Sequence, residues 1–394
     1  MRIESLRLRN YKTFEHLELT ELPSLGIFVG ANGTGKSTLF DVFGFLRDAL
    51  KNYVKQALDR RGGWNEVVTR GATGPIVIEL QFRLEIASKE RLVTYRLELA
   101  QERGRVVIAG EVLRYKRARY GAPFRFLNFK RGEGFAITNE EDFDRPDEEL
   151  EREEQRLQSP DILAIKGLGQ FERFKAASAF RSFVESWHVM DFHVDDARSV
   201  RDAGYAERLS SSGDNLPLVA QYLHGSHPKI FQRVLDKMVA RVPGVSEVTA
   251  ETTIDGRVVL RFKDGSFKDP FIARFVSDGT IKMFAYLLLL HDPSPHPLLC
   301  IEEPENQLYP TLLPELLEEF RAYADRGGQV FVTTHSPDLL NAAEPEEVYW
   351  LTKQDGLTSV QAARSNEVLT THYRQGDPLG VLWKQGYFNA VHPG

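Results

Sequence analysis

The hydrophobic and polar positions of the first hundred residues predict strands on either side of one helix. Residues 2–9 alternate as a half-buried strand does, and residues 16–20 have the same pattern and could pair with them. An apolar run at 25–29 leads through a glycine-rich loop into a helical pattern that continues to about Arg61. Three later segments predict an antiparallel meander: residues 76–84, 92–99 and 105–108, joined by turns at 86–90 and 102–105.

The rest of the chain passes from helices back to an alternation of strands and helices. Helical spacing over 160–190 is followed by two predicted helices, at 216–223 and 230–242, and by a hairpin around Asp255-Gly256. After residue 275 the elements follow in this order: helix 280–290, strand 297–301, helix 311–323, strand 329–334, helix 337–342, strand 347–351. Such an alternation is typical of a parallel sheet covered by helices.

The glycine-rich loop after the first apolar run has the form of a complete phosphate-binding loop. It reads Gly30-Ala31-Asn32-Gly33-Thr34-Gly35-Lys36-Ser37. Glycines let consecutive N–H groups point at phosphate oxygens, and the following helix adds the positive end of its dipole. Lys36 could reach the β- and γ-phosphates, and Ser37 could ligate Mg²⁺. The alternative, a glycine-rich turn beside an exposed lysine, fits less well because a strand and a helix flank the loop. The residues expected to bind the phosphates are Asn32, Gly33, Thr34, Gly35, Lys36, Ser37 and Thr38.

The apolar strand at 297–301 ends in two adjacent carboxylates, Glu302 and Glu303. Ligands bind at the carboxyl ends of strands in a parallel sheet, so we expect these carboxylates to meet the phosphates. Adjacent strand residues point to opposite faces, which predicts different roles: one carboxylate in the Mg²⁺ shell, the other orienting or deprotonating the attacking water. The alternative is a strand that simply stops at exposed glutamates before a proline.

Two more polar segments are candidates for the same site. His335 follows the strand at 329–334 and could sense the γ-phosphate or position the water, although a satisfied histidine at a strand end is the more common case. Ser277 and Gly279 precede an apolar helix, where a serine is an ordinary N-cap. This helix start could also offer donors to a γ-phosphate, and its distance along the chain suggests that it acts from a second copy.

The two α/β blocks are expected to form one nucleotide-binding lobe that a long insertion interrupts, because parallel sheets are often assembled from distant pieces of sequence. The predicted divisions are residues 1–85 for the first part of the lobe, 86–215 for the insertion, 216–270 for a small helical and hairpin region, and 271–394 for the second part of the lobe.

Composition narrows the class of protein. The 394 residues are 42% hydrophobic and 27% charged, as in ordinary soluble globular proteins. The single cysteine, Cys300, lies in an apolar run and is interpreted as a small buried residue, which excludes disulfide frameworks and cysteine zinc clusters. No apolar stretch reaches the length of a membrane span and no signal sequence precedes the first strand, so we expect a cytoplasmic protein without a membrane partner.

Charge is spread unevenly around a net value of −6. Residues 140–156 are strongly acidic and predict a solvated helix or loop. Residues 112–131 hold no acid and mix basic with aromatic side chains: Arg114, Lys116, Arg117, Arg119, Arg125, Lys130 and Arg131 with Tyr115, Tyr120, Phe124, Phe126 and Phe129. Such a mixture could follow a nucleic-acid backbone and stack on bases, or form an amphipathic hairpin with its aromatics turned inward.

Four motifs together resemble ABC-type ATPases, and in particular the prokaryotic SMC/RecF/OLD-like group of AAA ATPases. They are Gly30–Ser37, Ser277-Asp278-Gly279-Thr280, Ile301-Glu302-Glu303-Pro304-Glu305-Asn306 and Thr333-Thr334-His335-Ser336. Residues 8–14 also look like the first strand of that group, and the likeness covers residues 1–45 and 270–352. The resemblance implies an α/β fold, an ABC-type ATPase head with a mixed sheet flanked by helices and a mixed α+β insertion.

The resemblance also implies roles for the residues of one subunit. Lys36 and Ser37 would bind the phosphates and Mg²⁺ of ATP, Glu302 would match the acid of the metal shell, and Glu303 would match the catalytic base. His335 would match the switch histidine. The glutamine that links the metal to the insertion has no clear counterpart; Gln81 and Gln170 are weak candidates.

Other residues would act across a head-to-tail dimer that encloses two ATP molecules. Ser277 and Gly279 would match the signature motif, which acts on the nucleotide of the partner, and Asn306 falls in the segment that usually crosses the interface. A homodimer or higher homo-oligomer is therefore expected.

The resemblance leaves the output of the ATP cycle open between two hypotheses. The ATPase could gate a separately encoded effector, such as a nuclease in defence against phage, or it could act directly on DNA or RNA in repair and recombination. A fused Toprim nuclease is not expected, because only 59 residues follow His335. The insertion is also too short for the coiled-coil arms of SMC proteins.

Overall fold

The computed structural model describes residues 1–86, 89–115, 124–138 and 151–388. The strands are β1 (Ile3–Tyr11), β2 (Phe14–Leu19), β3 (Leu25–Val29), β4 (Ile76–Ile86), β5 (Lys89–Glu102), β6 (Arg105–Tyr115), β7 (Phe124–Lys130), β8 (Glu133–Ile137), β9 (Arg152–Arg156), β10 (His188–Met190), β11 (Arg201–Asp202), β12 (Val245–Thr252), β13 (Arg257–Asp264), β14 (Phe271–Ile272), β15 (Leu299–Glu302), β16 (Val330–Thr334), β17 (Val348–Gln354) and β18 (Leu357–Ala362). The helices are α1 (Lys36–Lys51), α2 (Val54–Asp59), α3 (Trp64–Val67), α4 (Ala164–Leu168), α5 (Lys175–Glu185), α6 (Val194–Ala197), α7 (Leu216–Ser226), α8 (Pro228–Arg241), α9 (Asp278–Leu290), α10 (Leu313–Asp325), α11 (Pro337–Leu340), α12 (Glu367–Arg374) and α13 (Leu379–Lys384).

The chain divides into two compact units, the first made of residues 1–187 and 349–365 and the second of residues 188–348 and 366–388. The predicted lobe of residues 1–85 and 271–394 has parts in both units, and its boundaries stay a prediction. Among the residues described, no helix combines the length and the apolar character that crossing a bilayer requires.

The first unit contains an eight-stranded sheet in the order β2-β1-β4-β5-β6-β7-β8-β9, antiparallel throughout. It includes the predicted meander, whose strands are longer than the sequence pattern indicated. The turn between β5 and β6 is tight because Arg103 and Gly104 both have positive φ, as hairpin turns require. Helix α5 covers one face, where the Phe180 ring lies 4.8 Å from that of Phe82 and 4.4 Å from that of Tyr95.

The same unit holds the strand and helix that flank the glycine-rich loop. All five residues of β3 are buried, and β3 lies beside β17, where the rings of Phe28 and Tyr349 stack 5.2 Å apart. Strands β17 and β18 form a hairpin whose turn residues, Asp355 and Gly356, both have positive φ. Strand β18 was not predicted, although Asp-Gly between alternating segments is a strong hairpin signal.

The second unit contains three parallel strands in the order β10-β15-β16. Strands β15 and β16 confirm the predicted strands, and Cys300 on β15 is buried, as its apolar surroundings indicated. Strand β10 was missed, because the helical pattern assigned to 160–190 ends with α5 at Glu185. A smaller antiparallel sheet, β11-β13-β12 with β14 beside β13, contains the predicted hairpin.

The structure describes part of the two charged segments, residues 112–131 and 140–156, and shows how their described residues are arranged. Tyr115, Phe124, Phe126 and Phe129 are buried, so these aromatics face inward and the amphipathic hairpin is the correct alternative for them. Arg131 is exposed and pairs with Glu102. Lys116, Arg117, Arg119 and Tyr120 lie outside the described residues, as do residues 139–150.

The prediction of a helix or loop is wrong for the end of the acidic segment, which is a strand. Residues 152–156 form β9, which pairs with β8 at the edge of the large sheet. Its residues are alternately exposed and half-buried, as on an edge strand, and charged side chains are a common way to protect such an edge.

Glu111 on β6 is a fully buried carboxylate that joins the large sheet to α4. Its side chain accepts hydrogen bonds from the backbone N–H groups of Ala164 and Ile165 and from the Tyr95 hydroxyl. Burial raises the pKa of Glu111 to about 7, against the opposing effect of these three donors. The carboxylate therefore caps a short helix at an electrostatic cost that depends on pH.

We predict that Glu111→Gln makes the stability of the protein less dependent on pH. Because the folded pKa of about 7 lies above the ordinary value of 4.5, the contribution of Glu111 is fully present below pH 4.5 and is lost as the pH rises to 7. The loss is on the order of 3 kcal/mol of unfolding free energy. Thermal melts at pH 5 and pH 8 should show a smaller difference for Glu111→Gln than for the wild type.

The matched control is Glu133→Gln, at an exposed position of β8 in the same sheet, which should follow the wild type. An equal loss of stability between the two pH values in Glu111→Gln and wild type would contradict the assignment.

Candidate functional site

The glycine-rich loop connects β3 directly to the start of α1. Gly33 and Gly35 have φ of +80° and +102°, a left-handed conformation that favours glycine. No side chain caps α1, and its first turn holds no acidic residue. The backbone N–H groups at this end, together with the helix dipole, thus provide the setting that an anion requires.

Lys36 occupies the interior of the loop. Its side chain is buried, and Nζ donates to the carbonyl oxygens of Gly30 at 2.8 Å and Ala31 at 3.2 Å. The Thr34 hydroxyl donates to the same Ala31 oxygen at 2.8 Å. The loop therefore folds around the ammonium group of Lys36. A bound phosphate would replace the carbonyl oxygens as the partner of this group.

Two threonines brace the loop from other parts of the first unit, and sequence reasoning missed both. Thr358, a buried residue of β18, donates from Oγ1 to the Thr34 carbonyl oxygen at 2.8 Å, and its N–H donates to the Thr13 carbonyl oxygen at 2.8 Å. A Cβ at Gly35 would lie 2.6 Å from Thr358 Oγ1 and 3.0 Å from Thr13 Oγ1. Gly35 is thus required by its neighbours as well as by its φ.

A cavity of about 560 Å³ in the first unit begins at the same helix. Thr38 of α1 forms part of its wall, opposite the β1–β2 turn with Lys12 and Thr13 and the hairpin turn with Asp355. Lys12 Nζ lies 2.5 Å from the Asp41 carboxylate, which also accepts from Arg61 Nε at 2.6 Å. The wall is therefore polar and held in place by ion pairs.

In the second unit, Glu302 is the last residue of β15, and the chain turns sharply after it. Glu303 has φ of +43° and lies beyond the strand, its N–H donating to the Thr333 carbonyl oxygen at 3.0 Å. We predicted that the two carboxylates point to opposite faces because they alternate along a strand, and this reason is wrong. Glu303 lies beyond the strand, and its left-handed backbone conformation sets the direction of its side chain.

The turn brings together Glu303 and His335, two residues predicted for the site. His335 Nδ1 lies 3.1 Å from Glu303 Oε1, and Asn306 Nδ2 donates to Glu303 Oε2 at 3.0 Å. Both carboxylate oxygens are engaged by neighbours at the ends of adjacent parallel strands. This arrangement fixes the orientation of Glu303, which a general base needs.

Glu305 fixes the same turn to β16, and sequence reasoning gave it no role. Its buried Oε1 accepts from the Thr334 hydroxyl at 2.6 Å and from the His335 N–H at 3.0 Å. The carboxylate thus holds the end of β16 against the turn that carries Glu303. The sequence signal that could have indicated this role is a further carboxylate two residues after Glu303.

Ser277 and Gly279 form the start of α9 beside this turn. Ser277 is the N-cap, and its Oγ accepts from the Thr280 N–H at 3.3 Å. A Cβ at Gly279 would lie 2.7 Å from the Gln307 carbonyl oxygen, so only glycine allows the helix start to approach so closely. The ordinary N-cap assignment is correct, and it leaves the role in a second copy as a proposal.

The predicted residues are divided between the two units. The phosphate loop, Asn32 to Thr38, belongs to the first unit, whereas Ser277, Gly279, Glu302, Glu303 and His335 belong to the second. Gln81 lies on β4 and Gln170 in a turn after α4, and nothing in their surroundings selects either as the glutamine that senses the metal.

Known proteins match this chain in sequence. A family model described as "AAA domain, putative AbiEii toxin, Type IV TA system" matches residues 27–341, more than half of the chain. The DNA replication and repair protein RecF of Listeria innocua is 28% identical over 141 residues, which cover 34% of this chain and 38% of that protein. RecF of Corynebacterium jeikeium is 37% identical over 75 residues, covering 18% and 17%. The chain thus spans well under half the length of the curated relatives that it matches.

Solved structures match over nearly the whole chain. An Smc head bound to the C-winged helix domain of ScpA has a TM-score of 0.55 at 14% identity, covering 92% of this chain and 97% of that one. An Smc head domain with an extended coiled coil, bound to the C-terminal domain of ScpA derived from Pyrococcus furiosus, has a TM-score of 0.50 at 13% identity, covering 94% and 99%. At such identities the likeness concerns the fold, and it confirms the predicted α/β head.

We predict that Thr358→Val weakens nucleotide binding about tenfold, because the Thr34 carbonyl loses its donor and the phosphate loop loosens. The dissociation constant of a fluorescent ATP analogue measures the effect. Thr352→Val is the matched control: its hydroxyl contacts Ser359 on the exposed part of the same hairpin, and the affinity should not change. Equal affinities for the wild type and Thr358→Val would show that Thr358 does not support the loop.

Proposed function

The chain belongs to this AAA-domain family, and we propose that it binds ATP with Mg²⁺ and hydrolyses it between two copies arranged head to tail. It is an ABC-type AAA ATPase of the SMC/RecF group. The observation that carries hydrolysis is the contact of 3.1 Å between Glu303 and His335 at the carboxyl ends of two neighbouring parallel strands. Ligands of such sheets bind at these strand ends.

The phosphate loop provides the nucleotide site. Lys36 would exchange its two carbonyl partners for phosphate oxygens, and the backbone N–H groups at the start of α1 would hold the same oxygens. Ser37 and Glu302 are the proposed ligands of Mg²⁺, which neutralises phosphate charge when bound. The polar cavity beside Thr38 has a suitable volume for the nucleoside.

Glu303 is the proposed general base. Its carboxylate would take a proton from the attacking water, and His335 and Asn306 hold it in one orientation for that task. His335 is partly exposed and could contact the γ-phosphate as well as Glu303. Glu305 supports both residues through its bonds to the end of β16.

Ser277 and Gly279 are proposed to act on the nucleotide of the partner. The start of α9 carries a serine hydroxyl and helical N–H groups, which are donors suited to a γ-phosphate. If both copies contribute in this way, ATP joins the two heads and hydrolysis separates them. Whether the homodimer is formed would then depend on whether ATP or ADP is bound.

Two outputs of this cycle remain candidates, each supported by a different comparison. The family description names a toxin–antitoxin system, which favours action together with a separately encoded partner protein; we propose that this partner is the effector, such as a nuclease in phage defence. The RecF matches favour an ATPase that acts on DNA in repair. Among the described residues of the segment considered for base stacking, Tyr115, Phe124 and Phe126 are buried and are therefore not available to nucleic acid.

We predict that Glu303→Gln binds ATP but hydrolyses it at least about a hundredfold more slowly, since loss of a general base has an effect of this size. The trapped nucleotide should hold the protein as a dimer in gel filtration. Lys36→Ala is the control, which should bind ATP weakly and stay monomeric. Turnover at the wild-type rate in Glu303→Gln would remove Glu303 from the catalytic role.

The same gel filtration with a DNA fragment distinguishes the two outputs. Comigration of DNA with the ATP-bound Glu303→Gln dimer, lost as the salt concentration rises, would favour direct action on DNA. An unchanged DNA elution would favour a separate effector.

We predict that Ser277→Arg blocks dimer formation by ATP and leaves ATP binding intact, because the bulky cation would fill the place of the partner's γ-phosphate. Asn366→Arg is a matched control, since it also removes an N-cap side chain in the second unit, at α12, and should still dimerise. Normal dimers in the Ser277→Arg, Glu303→Gln double variant would count against action on the partner's nucleotide.

A further inference from the structure

Lys282 is a buried charge in the most apolar helix of the second unit. Every residue of α9 from Thr280 to Leu290 is buried, and Lys282 is only 4% exposed. Its neighbours along the helix, Ile281 and Met283, are apolar. A charge is rarely retained in such surroundings unless specific partners compensate for its loss of water.

The partners of Lys282 are carbonyl oxygens of the turn that carries Glu303. Nζ donates to the Asn306 oxygen at 2.8 Å and, more weakly, to the Glu303 oxygen at 3.4 Å. The ammonium also lies 5.7 Å from the centre of the Tyr286 ring, one helical turn further along α9. The bonds join the two ends of the Glu303–Asn306 segment to one point on the helix.

The charges around Lys282 come from its own helix and from the turn. Burial lowers the pKa of Lys282 to about 8, and the carboxylates of Glu305 and Glu303 oppose this shift. His335, at the end of β16, contacts the same two carboxylates. The ammonium is thus the positive centre of a small group of charges that includes the proposed base.

This turn needs support because its backbone is unusual. Glu303 and Gln307 both have positive φ, of +43° and +67°, which side chains other than glycine rarely adopt. Such a conformation persists only where the surroundings hold it. Lys282 supplies a bond at the start and at the end of the segment, and Gly279 packs against the Gln307 oxygen at its far side.

We propose that Lys282 is a positioning residue that locks α9 to the Glu303–Gln307 turn, so that Ser277 and the Glu303 carboxylate of one subunit keep a fixed spacing. The inference rests on the proposed function, in which these two residues serve different nucleotides of the dimer. Each Lys282 then couples the site where its own Glu303 takes the proton to the site where its own Ser277 holds the partner's phosphate.

The first test compares Lys282→Met with Lys282→Arg. Methionine matches the length of the lysine stem without the donors, and because the hydrogen bonds of Lys282 go to backbone carbonyl oxygens, its removal breaks no hydrogen bond to a carboxylate. Lys282→Met should lower kcat at least tenfold with ATP affinity within about twofold of wild type, whereas Lys282→Arg, which keeps donors and charge, should recover most of the turnover. If Lys282 only filled space, methionine would serve and arginine would not; that order of activities would overturn the proposal.

Tyr286→Phe is the matched control on the same helix. The Tyr286 hydroxyl is buried and makes no hydrogen bond, so its removal keeps the ring beside Lys282 and should leave turnover unchanged. A loss in Tyr286→Phe as large as in Lys282→Met would show general sensitivity of α9 and refute a specific role. Melting temperatures within a few degrees of wild type confirm that the variants are folded.

The second test uses mixed dimers in which one subunit carries Lys36→Ala and only one composite site works. Lys282→Met is placed either in the subunit with the intact phosphate loop, whose Glu303 is in use, or in the other, whose Ser277 is in use. Loss of turnover in both arrangements is expected, and loss in only one of them would overturn the coupling. A wild-type protein that neither hydrolyses ATP nor dimerises would instead refute the proposed function itself.

Discussion

The site in the second unit depends on the left-handed backbone of Glu303. If the strand simply continued past Glu302, the pleat would set the direction of the next side chain. The positive φ of Glu303 turns the chain at once, places its carboxylate 3.1 Å from His335, and sets the Gln307 oxygen against Gly279. The backbone conformation of one residue thus determines the relative positions of Glu303, His335 and the start of α9. Hydrogen bonds of Glu305 and Lys282 stabilise this conformation.

The phosphate loop of the first unit follows a different principle, since most of its contacts are local. Glycines supply the left-handed positions, the helix supplies its N-terminal backbone N–H groups, and Lys36 bonds to the carbonyls of its own loop. The hydrogen bonds of Lys36 compensate its burial until an anion arrives. Thr358 contributes the long-range contact, and it closes the loop from the far end of the chain.

This difference explains what could be predicted from the sequence. The phosphate loop, the carboxylates at the end of β15 and His335 could be selected as candidates because their signals are local: glycine spacing, an apolar run with a polar tip, and motifs shared with a family. The backbone reversal at Glu303 has no such signal, since glutamate seldom adopts positive φ. Thr358 and Glu305 gain their roles only from residues distant in sequence. Lys282 was visible as a lone charge in an apolar helix, but its carbonyl partners were not. Strand β9 was missed because charged residues on an edge strand look like a solvated loop.

The cap that Glu111 makes on α4 has a mechanical consequence for the large sheet. From the same short helix, Lys166 donates to the Lys51 and Asn52 carbonyl oxygens at the end of α1, and its ammonium lies 4.1 Å from the centre of the Tyr53 ring. Helix α1 has 16 residues and is about 24 Å long, with the phosphate loop at its opposite end. The contacts of Lys166 and Glu111 therefore form a continuous path from the end of α1 through α4 to β6. An axial displacement of α1 would be transmitted along this path to the large sheet.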